Sequence, residues 1–373
     1  MTRPTAARLL ISAGEASGDR LGGALVAAIR VRRPDLALEG CGGAYMAAAG
    51  LELRYDVERL GAMGFLEVLG AAPRHLALYR RFAAEARHGR FGGAVLIDYP
   101  GFHLRLGTAL RQAGVPVVQF VAPQLWAWQP ERLGRLTRAA DRVAAILPFE
   151  AEWFSSRGVP CTFVGHPLVD RAWPAAAAAR VTLNLPPGAP VLGIFPGTRE
   201  GEITRNWPLF RDVARRMMAE GRCRYVVVAG TPGGYYPDPQ GFLVHRGDPE
   251  VVLAAATAAL VKSGTTVLEA AWTGTPMVVA YRSARITYEI ARRLMTVEWI
   301  SLANLLLSAP LVPEFWRYPV RAAEVADGLR PLLDESSPEA AAQRAGLQRV
   351  REMLGDRGAA DRVADMVLDL LAC

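Results

Sequence analysis

The chain has 373 residues, 51% of them hydrophobic, and its 43 Lys and Arg against 36 Asp and Glu give a formal net charge of +7. That length predicts two domains, and so large an apolar share excludes intrinsic disorder. The four cysteines, Cys41, Cys161, Cys223 and Cys373, lie far apart without CxxC or Cys/His spacing, which excludes a disulfide miniprotein and argues against a zinc site.

The first apolar run, Arg8 to Ala13, is interrupted by Gly14 and Glu15, so it reads as a buried strand and not as a signal peptide. A turn through Gly14 to Gly18 leads into a helix from Asp19 to Arg32. Further short apolar runs follow at Gly93 to Ile97, Pro116 to Val121, Arg142 to Ile146 and Thr162 to Val164. An alanine-rich connector, Arg171 to Arg180, and a Pro/Gly patch, Leu185 to Pro190, separate these from a second set: Val191 to Phe195, Tyr225 to Ala229, Ala258 to Val261 and Pro276 to Ala280. Nearly all-apolar strands alternating with amphipathic segments predict α/β domains with parallel sheets covered on both faces. The expected layout is two Rossmann-like domains facing each other across a cleft, residues 1–178 and 179–344, with a C-terminal helix from 345 to 373 packing back on the first. No window reaches the ~18 apolar residues of a spanning helix, so a cytoplasmic chain, free or peripheral on a membrane, is expected.

In such sheets ligands bind beyond the carboxyl ends of the strands, which directs attention to the residues just after each run. After the first come Glu15 and Ser17 in a glycine-flanked turn, which suits a sugar hydroxyl or simply an N-cap from Ser17 or Asp19. Asp98 follows the next run, ahead of Tyr99-Pro100-Gly101; it is either a partly desolvated general base or a turn aspartate. Trp126 and Trp128 follow another strand, as core packing or as an aromatic wall for a sugar or acyl chain. His166 ends the last run of the first half in a supporting role, and five scattered histidines make no metal site.

In the second half, Pro196-Gly197-Thr198-Arg199 puts a guanidinium at a helix start, where N–H groups also point outward, and this suits a diphosphate. Lys262, the only lysine, precedes Ser263, Gly264 and Thr265 at another helix start, and Glu269 stands further in, where a carboxylate accepts ribose hydroxyls; the plainer reading is an N-cap from Ser263 or Thr265 with Glu269 as a core-edge acid. Two such loops in one half point to a nucleoside diphosphate.

These motifs resemble the lipid-A-disaccharide synthase family of inverting glycosyltransferases with the GT-B architecture. The resemblance is carried by AGEASGD from Ala13, GCGGAYMAAAG from Gly40, LGAMGFLEVL from Leu60, IDYPGF from Ile97, APQLWAW from Ala122, LPFE from Leu147 and VGHPLVD from Val164. PGTR from Pro196, SGTTVLEA from Ser263, PMVVAYR from Pro276 and SLANLLL from Ser301 continue it in order to about residue 315. It implies condensation of UDP-2,3-diacylglucosamine with 2,3-diacylglucosamine 1-phosphate at an anionic inner-membrane surface, without metal or other cofactor. Asp98 matches the family's candidate base; Arg199, Ser263, Gly264, Thr265, Glu269 and Asn304 match its UDP-donor residues. The acceptor is assigned to Glu15, Ser17, Met63, Trp126, Trp128 and His166. One departure stands out: where the family is strongly basic after WAW, this chain has Gln129-Pro130-Glu131-Arg132. Alternatives are another GT-B enzyme using UDP-N-acetylglucosamine and a non-catalytic nucleotide-sugar module. Scattered arginines without an RNA-binding motif argue against nucleic acid.

Overall fold

Thirteen strands, most of them short runs of branched and small apolar residues free of interior proline, form among the residues that the computed structural model describes, 8–57, 67–239 and 241–372. The chain divides into two compact units, one of residues 1–170 with 354–373 and the other of 171–353. In the first unit β1 (Arg8–Ala13), β2 (Leu38–Gly42), β3 (Glu52–Asp56), β4 (Phe91–Ile97), β5 (Val117–Phe120), β6 (Arg142–Ala145) and β7 (Cys161–Phe163) form one sheet in the order β3-β2-β1-β4-β5-β6-β7. Every pairing in it is parallel. β1, β2 and β5 are buried along nearly their whole length, as a sheet with helices on both faces requires.

The second unit builds a parallel sheet from β8 (Val191–Phe195), β9 (Tyr225–Ala229), β10 (Phe242–His245), β11 (Ala258–Val261), β12 (Met277–Ala280) and the two-residue β13 (Glu314–Phe315), in the order β10-β9-β8-β11-β12-β13. In both sheets the winding reverses beside the first strand, between β1 and β4 and between β8 and β11. The chain there leaves two neighbouring strands for opposite faces and opens a crevice at their carboxyl ends.

The tail is two helices, Pro338–Met353 and Ala359–Ala372, which belong to different units. The last one inserts Val363, Ala364 and Val367 into the core that Leu9, Ile11, Val95 and Val118 form in the first unit. Asp170 tethers it by accepting from the N–H groups of Gly358 (2.7 Å) and Ala359 (3.2 Å), and the Arg362 guanidinium donates to the Val164 carbonyl (2.8 Å). None of the described helices is long and apolar enough to cross a membrane.

Candidate active site

In the first unit, the predicted residues Glu15, Ser17 and Asp98 stand at the β1/β4 crevice. Asp98 and Tyr99 both adopt left-handed backbone, with φ of 50° and 53°, so the chain turns sharply off β4 into the helix Pro100–Gln112. Two non-glycine residues in succession there store strain that the surroundings must hold. The hold comes from His103: its Nδ1 donates to the Asp98 carbonyl (2.7 Å) and its Nε2 accepts from the Ser12 hydroxyl at the end of β1 (3.0 Å). The Gln119 amide also donates to the Asp98 carbonyl, at 3.3 Å. Burial pushes the imidazole pKa down to about 4, which keeps the ring neutral and fixes these donor and acceptor roles. Gly14 leaves room for the Tyr99 ring, which a Cβ there would strike.

Glu15 is half-buried at the start of the helix Ala16–Arg32 and Ser17 is exposed one residue inside it. Neither Ser17 nor Asp19 caps that helix. Asp19 instead reaches across to the neighbouring helix Ala44–Ala48 and accepts from the N–H groups of Gly43 (2.6 Å), Tyr45 (3.0 Å) and Met46 (3.1 Å).

The two tryptophans splay within a helical turn, Leu125–Trp128. Trp126 is buried at 6% exposure, with its indole donating to Glu150 Oε1 (3.0 Å) and its ring edge-on to Phe149, whereas Trp128 is 41% exposed. Only Trp128 has a ring face to offer a ligand; Trp126 is core. Glu150, which sequence reasoning passed over, is buried beneath the site, and burial pushes its carboxyl pKa up to about 7, with the charge of Asp98 adding to the push. His166 is buried, its ring Nδ1 accepts from the Leu168 N–H (3.1 Å), and its backbone N–H donates to the Leu354 carbonyl (2.8 Å). Its work is to hold the chain where it re-enters the first unit. Met63 lies outside the described residues.

In the second unit, the turns after β8 and β11 lie side by side at the crevice. Arg199 is the N-cap of the helix Glu200–Ala219, with its guanidinium about half exposed and 3.9 Å from Glu202. Lys262 Nζ meets Glu202 Oε1 at 3.0 Å and the Thr198 N–H donates to Glu202 Oε2 at 3.2 Å, so one carboxylate ties both turns together. Burial pushes the Glu202 carboxyl up, but Lys262, the Thr198 N–H and Arg199 outweigh it and hold the group below its usual range. Asn206 links a third turn, donating to the Pro196 carbonyl (2.9 Å) and accepting from the Arg282 N–H just after β12 (3.0 Å). The result is a rim of backbone N–H groups and cations able to hold a diphosphate.

Ser263, Gly264 and Thr265 lead into the helix Thr266–Thr273, Thr265 with its side chain exposed. The Ser263 hydroxyl donates to the Ile300 carbonyl (2.7 Å), which fastens this loop to the segment carrying Asn304. Asn304 itself is 1% exposed and spends its amide internally, on the Val312 backbone (2.9 and 2.7 Å) and Glu314 (2.9 Å). It therefore braces the loop and does not face a ligand. Glu269 Oε1 accepts from Arg171 at 2.8 Å, and Arg171 also pairs with Glu250 while stacking over Trp173. This arginine was invisible to motif reading because it stands in the connector. Among the described residues no group of three or more His, Cys, Asp or Glu is placed to hold a metal.

A sequence profile of the lipid-A-disaccharide synthetase family matches residues 9–362. The chain belongs to this family. The lipid-A-disaccharide synthase of Myxococcus xanthus is 40% identical over 386 residues, spanning 100% of this chain and 99% of that protein. That of Azotobacter vinelandii is 38% identical over 377 residues, spanning 97% and 98%. Family membership makes the chain a glycosyltransferase of lipid A biosynthesis. Among solved structures, UDP-GlcNAc 2-epimerase from Neisseria meningitidis bound to UDP-GlcNAc superposes with a TM-score of 0.64 at 11% identity, covering 97% of this chain and 100% of that one. MurG of Acinetobacter baumannii gives 0.56 at 13% identity, covering 97% and 99%. At such identities the likeness shows the fold alone, and the fold is GT-B.

Proposed function

We propose that this member transfers 2,3-diacylglucosamine from UDP to the 6-hydroxyl of 2,3-diacylglucosamine 1-phosphate, forming the β-1,6 lipid A disaccharide 1-phosphate and UDP with inversion. The observation that carries the donor half is the joined rim of the second unit, where Glu202 locks Arg199 and Lys262 beside two helix starts. Arg199 and those N–H groups stabilise the negative charge that grows on UDP as the glycosidic bond breaks. Glu269 offers the ribose its remaining carboxylate oxygen while Arg171 holds the other.

In the acceptor half, Asp98 takes the proton of the attacking hydroxyl, and one displacement at the anomeric carbon then inverts its configuration. A base must stay in place as the proton moves, and the His103 and Gln119 bonds to its carbonyl fix it there. Glu15, Ser17 and Trp128 contact the acceptor sugar in this reading. The acceptor phosphate falls to Arg132 and Arg135, both exposed after the WAW turn. The work takes place at the anionic inner face of the cytoplasmic membrane, where both lipid substrates reside.

The test is incubation with both lipid sugars followed by mass spectrometry of the product. A disaccharide 1-phosphate with release of UDP is expected, and Asp98→Asn should abolish it, by at least about a hundredfold, while donor binding survives. Turnover by Asp98→Asn at the wild-type rate would remove the base assignment.

A further inference from the structure

Residues Arg285–Leu294 form a ten-residue helix without one buried side chain, although half of it is apolar. Ile286, Ile290 and Leu294, spaced four apart, form a single stripe with exposures of 76%, 53% and 49%. Such a stripe costs free energy in water unless something covers it. Arg293 flanks it three residues on from Ile290, and Arg282, Arg285 and Arg292 are exposed around it, against one acid, Glu289, which pairs with Arg292 at 3.0 Å. On its inner side the Tyr288 ring packs against Trp316, tilted by 56° with centroids 5.8 Å apart, so the helix is anchored to the second unit and displays the stripe outward.

We propose that this helix is the membrane-docking surface of the donor unit, lying flat in the interface of an anionic phospholipid bilayer with Ile286, Ile290 and Leu294 among the acyl chains. Branched aliphatic side chains bordered by arginines, on a helix too short to span, are what an interfacial element requires. Its position adds a second argument. The helix starts five residues after β12 ends, and Arg282 in between is bonded through Asn206 to the diphosphate turn, so docking brings the donor rim to the lipid surface. At its base Arg282, Ser283, Trp316 and Tyr318 line a small pocket, and its arginine and serine suit a lipid phosphate. The inference rests on the proposed reaction, which needs an acylated donor.

Vesicles of phosphatidylethanolamine with phosphatidylglycerol, sedimented with the full chain, provide the test. The triple variant Ile286→Ser/Ile290→Ser/Leu294→Ser should partition at least about tenfold less than wild type. Arg285→Gln/Arg293→Gln should weaken binding by a smaller factor and flatten its dependence on salt. All altered side chains are exposed, so melting temperature, UDP affinity and disaccharide formation from detergent-dispersed substrates should stay at wild-type levels. Wild-type sedimentation of the triple variant would overturn the proposal, as would a change in its oligomeric state, which would assign the stripe to a second copy of the chain. Vesicle binding lost with the stripe in a chain that makes no disaccharide would uphold the docking surface and reject the reaction.

Discussion

His103, bonded to the Asp98 carbonyl, and Glu150, which feels the Asp98 charge, are both buried and ionisable, and their proton linkages oppose each other. The folded chain protonates His103 only near pH 4 where an unperturbed imidazole does so at 6.5, so through this residue stability falls as pH drops across that interval. Glu150 has its folded pKa pushed up to about 7 from 4.5, so its contribution is complete below the lower value and is lost as pH rises through the higher one. Each amounts to on the order of 3 kcal/mol. Together they should leave stability nearly flat between about pH 4.5 and 6.5, and single variants should expose the hidden slopes. Urea unfolding across that range is expected to show His103→Gln losing stability as pH rises and Glu150→Gln losing it as pH falls. Parallel profiles for wild type and both variants would contradict the linkage. Arg199 gives a simpler expectation from its exposed place on a helix start: Arg199→Ala should weaken UDP binding by about 10- to 100-fold, with Arg199→Lys recovering only part, as calorimetric titration would show. Equal affinity of all three forms would take Arg199 off the diphosphate.

Asp19 shows how a helix can be held by a residue of another element. Its carboxylate serves three N–H groups at the start of Ala44–Ala48, so Asp19→Ala should cost about 2 to 4 kcal/mol, and Asp19→Asn should restore about half. Chemical denaturation reads this directly, and a loss under about 0.5 kcal/mol would mean that water replaces the cap. The same example marks where the sequence stops being legible. Strands β1, β8, β9 and β11 were readable to the residue because their apolar runs end in glycine, proline or charge. β2 was missed because Leu38–Gly42 carries two glycines and a glutamate, Glu39, which survives burial only through Arg8, Arg54 and Arg90. β3 and β10 are sheet edges of mixed polarity, and β13 is two residues long, so none offers a period to detect. The crevice turns were legible because glycines and charges stand right after the strands. What they bond to was not: Asn304 and Trp126 carry a motif signature yet spend it on packing, and Arg171 carries no signature yet holds Glu269.

At the scale of the molecule, the return of the last helix separates folding of the first unit from ligand binding by the second. Val367 is 2% exposed in the core of the first unit, though it lies beyond the end of the second in the chain. A carboxylate there has no partner, so Val367→Asp should destabilise that unit by about 3 to 5 kcal/mol and lower its melting temperature by about 10 °C. The rim proposed to hold the diphosphate draws on β8, β11 and β12 and, among the described residues, on none past 353. UDP affinity at low temperature should therefore stay within about twofold of wild type. Disaccharide formation, for which Asp98 of the first unit is the proposed base, should fail on warming. Scanning calorimetry paired with UDP titration distinguishes this from a chain in which the tail serves the nucleotide: there, affinity would fall with turnover while the first transition stayed in place.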